Sequence, residues 1–190
     1  YSQKGPEAGN ASIYFSQTRL ESTGSIKIGE AQYNVSGLSW MDHEYSTSAL
    51  TTDQVGWDWF AIQLDDGSEL MLVQIRHANG EIDEFSQGTY IAADGSTTSL
   101  TKDDFLITVN EFWESTQSAA VYPADWTLTI PSLEVELNIS PYIADQELVL
   151  TISTYWEGAV RVRGTVGSQL VRGSGYTEMT GYVESMEGRF

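Results

Sequence analysis

Two short stretches hold an unusual share of the groups able to move protons or grip a ligand: Ser39-Trp40-Met41-Asp42-His43-Glu44-Tyr45 and Gly56-Trp57-Asp58-Trp59-Phe60. Together they carry three of the six tryptophans and one of the two histidines. Imidazole titrates near neutrality, so His43 is a candidate acid, base or orienting donor. A hydrogen-bonded structural histidine is the competing reading. If the first stretch is a strand, alternation puts Trp40, Asp42 and Glu44 on one face and Met41, His43 and Tyr45 on the other. Adjacent strand residues cannot all face one ion, and no second histidine stands at ligand spacing, so no metal is expected. His77 adjoins a turn at Ala78-Asn79-Gly80 and is expected to be solvated. Trp57 and Trp59 share a face, opposite Asp58 and Phe60; such a pair either walls an apolar pocket or fills a core.

Later segments supply matching polar rows. Gln74 and Arg76 share a face. So do Tyr155, Glu157, Arg161 and Arg163, provided their strand runs on past Gly158, and so do Tyr176, Glu178, Thr180 and Tyr182. Buried charges need partners, so an inward cluster of Arg76, Glu157, Glu178 and His43 would be self-consistent. Outward, solvated rows are the alternative.

The elements that must position these groups are strands. Nearly every segment alternates with period two, and Asp65-Asp66-Gly67, Asn79-Gly80 and Asp94-Gly95 supply tight turns. The pattern predicts strands at Ser12–Leu20, Gly24–Ile28, Gln32–Val35, Leu38–Tyr45, Trp57–Leu64, Glu69–His77, Ile82–Ala92 and Ser96–Leu100. It predicts further strands at Phe105–Trp113, Trp126–Ile130, Leu133–Ile139, Leu148–Tyr155, Ala159–Gly164 and Gly175–Val183. A short helical turn is expected near Thr101–Asp104. So many short-linked strands imply an all-β barrel or sandwich, and the cost of open edges favours an antiparallel β-barrel.

The 190 residues suffice for one domain, and a hydrophobic fraction of 41% with 12% aromatics argues against disorder despite a net charge of −18. That charge, with nine scattered Lys and Arg, argues against nucleic-acid partners and anionic membrane surfaces. No apolar run reaches membrane-spanning length. The absence of cysteine excludes thiolate catalysis, and no phosphate-cradling glycine loop or nucleophile elbow is present.

These residues also resemble a family, over nearly the whole chain. The resemblance rests on Ser12-Ile-Tyr-Phe-Ser-Gln-Thr-Arg19-Leu20, Val35-Ser-Gly37-Leu-Ser-Trp40-Met-Asp42-His43-Glu44 and Gly56-Trp57-Asp58-Trp59. It continues through Gln63-Leu-Asp65-Asp-Gly67, Glu69-Leu-Met-Leu, Arg76, Tyr122-Pro123 and Trp126. Tyr155-Trp156-Glu157-Gly158 and Gly175-Tyr176-Thr177-Glu178-Met179-Thr180-Gly181-Tyr182 complete it. In these motifs the chain resembles the AttH-like, hydroxyneurosporene synthase (carotenoid 1,2-hydratase) family, often labelled predicted secreted hydrolases. The resemblance implies a lipocalin-like barrel over residues 13–190, the C-terminal half of a two-barrel protein. It makes residues 1–12 a connector and the N-terminal barrel domain a partner, and it favours an extracytoplasmic location.

The resemblance further implies a hydrophobic, isoprenoid- or lipid-like ligand and no cofactor. Carotenoid hydratases are expected to place an acid on the strand after the Trp-Asp-Trp segment. Here that strand has Leu70, Leu72 and Gln74 in its middle, leaving His43, Glu44, Glu157 and Glu178 as proton carriers. Two functions follow. One is a lipocalin-like module that binds the hydrophobic ligand. The other is a hydro-lyase or isomerase/cyclase, with His43 and Glu44 as acid/base pair and Glu157 or Glu178 in support. Trp57, Trp59, Tyr155, Trp156, Arg76 and Tyr176 would contact the ligand. A hydrolase has no support, because no activated nucleophile is visible.

Overall fold

Alternating apolar residues fold one face of each strand inward, and the turns between them are short enough to keep neighbours antiparallel. A computed structural model describes residues 2–7, 9–46 and 50–188. Among these residues the strands are β1 (Ser2–Gln3), β2 (Ala11–Ile28), β3 (Ala31–Tyr45), β4 (Gln54–Leu64), β5 (Glu69–His77), β6 (Gln87–Ile91) and β7 (Thr97–Thr101). They continue as β8 (Leu106–Glu114), β9 (Val121–Ile130), β10 (Val135–Pro141), β11 (Glu147–Val149), β12 (Thr154–Val166) and β13 (Gln169–Met179). The larger sheet runs β7-β6-β5-β4-β13-β12-β10-β9-β8, with β11 beside the start of β12. It is antiparallel and curls into a half-barrel of the lipocalin-like type, so the all-β class expected from the pattern holds.

The concave side is dry. Phe60 and Ile62 of β4, Leu70 and Leu72 of β5, Leu128 of β9, Leu137 and Ile139 of β10 and Val160 of β12 have no solvent exposure. Trp126 centres this core, with Phe60 edge-on at 5.6 Å and Trp156 at 6.4 Å. Aromatic rings in this relation bury large areas and add a favourable edge-to-face term.

The smaller sheet is a long ribbon made by β2 and β3, with β1 at its edge. Its first half lies on the convex face of the larger sheet. There Trp59 Nε1 donates to the Tyr14 hydroxyl at 3.1 Å, and Arg19 pairs with Glu69 of β5 while also donating to the Leu64 carbonyl. Its second half, residues 20–38, is exposed except at half-buried Ser22.

Several boundaries differ from those the alternation predicts. Ser12–Leu20 and Gly24–Ile28 are one strand, as are Gln32–Val35 and Leu38–Tyr45. The polar residues between them face water on a ribbon with no core of its own, so burial cannot mark the strand there. Only Gln87–Ile91 of the expected Ile82–Ala92 strand pairs into the sheet, with Ile82 forming a lone bridge to Arg76. Leu148–Tyr155 divides between β11 and β12, and β12 continues past Gly158 to Val166. Thr101–Asp104 is a turn closed by Asp104, whose carboxylate accepts from the Thr101 amide at 2.7 Å. The one helical turn among the described residues is Pro131–Leu133.

Close backbone approach fixes one position tightly. Gly164 of β12 pairs with Leu137 on one side and Val171 on the other, and a β-carbon there would run into the Glu136 carbonyl oxygen. Gly164→Ala is therefore expected to lower stability by about 1–3 kcal/mol, the usual cost of overpacking, in chemical denaturation.

Candidate active site on the convex face

On β4 alternation sends Phe60, Ile62 and Leu64 into the core and leaves Trp57 and Trp59 on the convex face. Cross-strand register then lines up Trp59, Glu178 of β13 and Glu157 of β12 in one row. Directly opposed carboxylates repel, since residues paired across antiparallel strands stand about 5 Å apart at Cβ. Trp57 Nε1 donates to Glu178 at 2.7 Å. The Glu178 carboxyl is nevertheless held above its ordinary range, first by burial and then by the charges of Glu157 and Glu44. Tyr176 donates to Glu157, and burial followed by the charges of Glu157 and Glu178 raises the Tyr176 and Tyr155 phenols. Tyr176 is 42% exposed, so this aromatic and acidic patch is open on one side.

The ribbon closes another side. Asp42 accepts from the Tyr14 hydroxyl at 2.5 Å and from Trp40 Nε1 at 2.7 Å, and Tyr14 in turn accepts from Trp59. Burial, then the bond to Asp42, pushes the Tyr14 phenol far above its ordinary range, leaving it a neutral donor. Glu44 pairs with Lys4 at 2.7 Å. His43 points the other way, as strand alternation requires. It is exposed and stacked with Tyr45 at 4.3 Å, with Phe15 at 5.5 Å.

Of the residues singled out in the sequence, the fold thus brings together Glu44, Glu157, Glu178, Trp57, Trp59, Tyr155 and Tyr176. It leaves His43 on the far side of β3. Two others lie on the concave side of the sheet. Trp156 is a core residue, 1% exposed, whose Nε1 donates to the Ala144 carbonyl at 2.7 Å. Arg76 sits beside Asp58 at 3.1 Å and over the Tyr182 ring at 4.0 Å. The inward cluster of Arg76 with Glu157, Glu178 and His43 is therefore split by the sheet. His77 is half-buried against Asp83 at 2.9 Å rather than solvated, with Gln54 donating to the same carboxylate. Among the described residues no group of three or more His, Asp or Glu could hold a metal.

Alternation along the strands does not bring Asp58 and Tyr182 together, but the fold does. The row Tyr176, Glu178, Thr180, Tyr182 breaks because β13 ends at Met179. Gly181 then takes a φ of +75°, and a β-carbon there would strike the Val55 carbonyl. This bend turns Tyr182 to the opposite side, where its hydroxyl donates to Asp58 at 3.1 Å. Asp58 is raised by burial even though Arg76 and Tyr182 both pull it down. The same segment also braces the convex site. Thr180 brackets the Trp57 backbone, its hydroxyl accepting the Trp57 amide at 3.1 Å and its amide donating to the Trp57 carbonyl at 2.9 Å.

The chemical content of the convex face is a carboxylic acid biased towards its protonated form, facing a second carboxylate, between aromatic walls. A raised carboxyl beside a second carboxylate suits proton delivery at one atom and proton removal at another. Residues 1–182 match the family described as AttH-like. The chain belongs to the AttH-like family. It is 30% identical over 144 residues to the kievitone hydratase of Fusarium solani subsp. phaseoli, covering 75% of this chain and 40% of that protein. An AttH-type protein from Nitrosomonas europaea superposes with a TM-score of 0.86 at 36% identity, over 96% of this chain and 56% of that one. Kievitone hydratase from Nectria haematococca shares the fold, with a TM-score of 0.74 at 22% identity, over 93% of this chain and 55% of that one. The AttH-like chain thus spans about half the length of these relatives.

The raised Glu178 carboxyl has a measurable signature. A proton held more tightly in the folded state contributes stability that is full below the ordinary value of 4.5 and is lost as pH rises through the higher folded value. Glu178→Gln keeps the Trp57 hydrogen bond but cannot ionise. Urea denaturation across this window should show the variant gaining on the wild-type chain as pH rises; parallel curves would contradict the assignment.

Proposed function

We propose that this AttH-like chain carries the acid/base face of a hydratase-type protein that takes a hydrophobic, isoprenoid- or lipid-like substrate. The observation that carries the reading is the opposed Glu157 and Glu178 pair, with Glu178 raised, set among Trp57, Trp59, Tyr155 and Tyr176. Kinship with a kievitone hydratase supports the reaction class. Glu178 gives its proton to one alkene carbon, leaving a cation on the other. Water adds to that cation, and Glu157 takes the proton that the water loses. Transfer between the two opposed carboxyls restores the starting state, so the net change is addition of one water. The aromatic faces stabilise the cation, and Glu44 adds negative charge at longer range.

The remainder of the site is proposed to come from an N-terminal barrel domain, consistent with relatives about twice as long and with an open side at Tyr176. A second reading is favoured by one observation. The middle of β5 offers Leu70 and Leu72 to the core where an acid is expected, so the chain would bind the hydrophobic ligand without changing it.

Isotope incorporation separates the two. Wild-type protein incubated with an isoprenoid alkene in oxygen-18 water should yield labelled alcohol, and bound polyene should quench tryptophan fluorescence. Glu178→Gln and Glu157→Gln are each expected to cut labelling by about 10²–10⁴-fold, the usual worth of a general acid or base, with quenching retained. Quenching without labelling in the wild-type protein would establish the binding role instead. Absence of both would remove the hydrophobic-ligand reading altogether.

A further inference from the structure

Away from that patch, the convex face of β12 and β13 carries an arrangement that the proposed reaction does not use. Arg163 and Arg172 are directly paired across the two strands, and both are exposed. Like charges placed opposite one another destabilise a sheet. In a chain with 27 Asp and Glu against nine Lys and Arg, a carboxylate partner should be easy to find. Lys4, Arg19 and Arg76 each have one. Among the described residues, Arg163 and Arg172 have none at ion-pair distance, although Asp65 and Glu136 line the same groove. Asp65 is already engaged, accepting the Arg172 backbone amide at 2.8 Å. Neighbouring Arg161 is engaged too, over the Tyr142 ring at 5.2 Å.

The groove that Arg163 and Arg172 both line has a volume of about 410 Å³. Thr165 adds a hydroxyl to its lining, and Leu170, 83% exposed, gives it an apolar rim. Two arginines lining one groove are suited to a single group with several acceptor oxygens, because a guanidinium fork can donate two parallel hydrogen bonds. We propose that this groove is an anion site, in which Arg163 and Arg172 together bind a phosphate or carboxylate group carried on an apolar body that rests on Leu170. Six residues of β12 separate it from Glu157, about 20 Å at 3.3 Å per residue, so it is a site apart from the acid pair. It stands or falls independently of the hydration reading.

Titrations at constant ionic strength, followed by backbone amide resonances, test it. Inorganic phosphate should move the amides of Gly164, Thr165, Val171 and Arg172 saturably, and hexyl phosphate or hexanoate should bind several-fold tighter than inorganic phosphate or acetate. The double variant Arg163→Gln with Arg172→Gln, both on exposed positions, should keep the melting temperature and weaken every one of these at least tenfold. Equal shifts from chloride, or affinities untouched in the double variant, would overturn the site. Equal binding of the alkyl and inorganic anions would overturn the apolar body and leave a small-anion site. The stronger of the hexyl phosphate and hexanoate arms identifies the head group.

Discussion

One step along a strand is the constraint on which this molecule turns. In β4, β12 and β13, the three strands at the middle of the sheet, neighbouring residues occupy opposite environments: Asp58 beside Trp59, Trp156 beside Glu157, Met179 beside Glu178. The first face is a packed core with Trp126 at its centre. The second is a partly covered acidic surface. A slip of one residue in any of these registers would drive carboxylates into the core and tryptophans into water, so the hydrophobic pattern and the site are specified by the same alignment.

Burial acts on carboxyl groups on both faces, with different results. On the concave side Asp58 keeps close company with a guanidinium and a phenol, which pull against its desolvation without overcoming it. On the convex side the indole of Trp57 partners Glu178, while its neighbours are further carboxylates. The first arrangement braces the end of β4 and the segment after β13. The second holds a carboxyl above its ordinary range beside another carboxylate. Thr180 joins them, since Arg76 grips its carbonyl from one side and its hydroxyl holds the Trp57 amide on the other.

Much of this was legible in the residues. Period two named the all-β class, and it assigned Trp57 and Trp59, and separately Asp42 and His43, to the faces they occupy. The strand of Glu157 passes beyond Gly158, the condition under which Arg161 and Arg163 share its face. What could not be read was anything set by partners distant in sequence. Tyr182 leaves its row because of a bend at Gly181 that packs against Val55, more than a hundred residues earlier in the chain. The opposition of Glu157 to Glu178 depends on the β12–β13 register, and alternation within a strand carries no information about that. The ribbon, solvated on both faces in its outer half, lacked the contrast between wet and dry that marks a strand.

That outer half has its own division. Ile26, Ile28, Tyr33 and Val35 lie on one side, and Ser25, Lys27, Gln32 and Asn34 on the other, and no strand among the described residues pairs with either long edge there. A two-edged ribbon with an apolar stripe is a template onto which other strands can add. The net charge of −18 then acquires a colloidal meaning. Mutual repulsion keeps such ribbons apart at low ionic strength and fades as the Debye length shrinks to about 8 Å in physiological salt. The chain's net acidity opposes strand addition at an edge that the ribbon's own sequence leaves open.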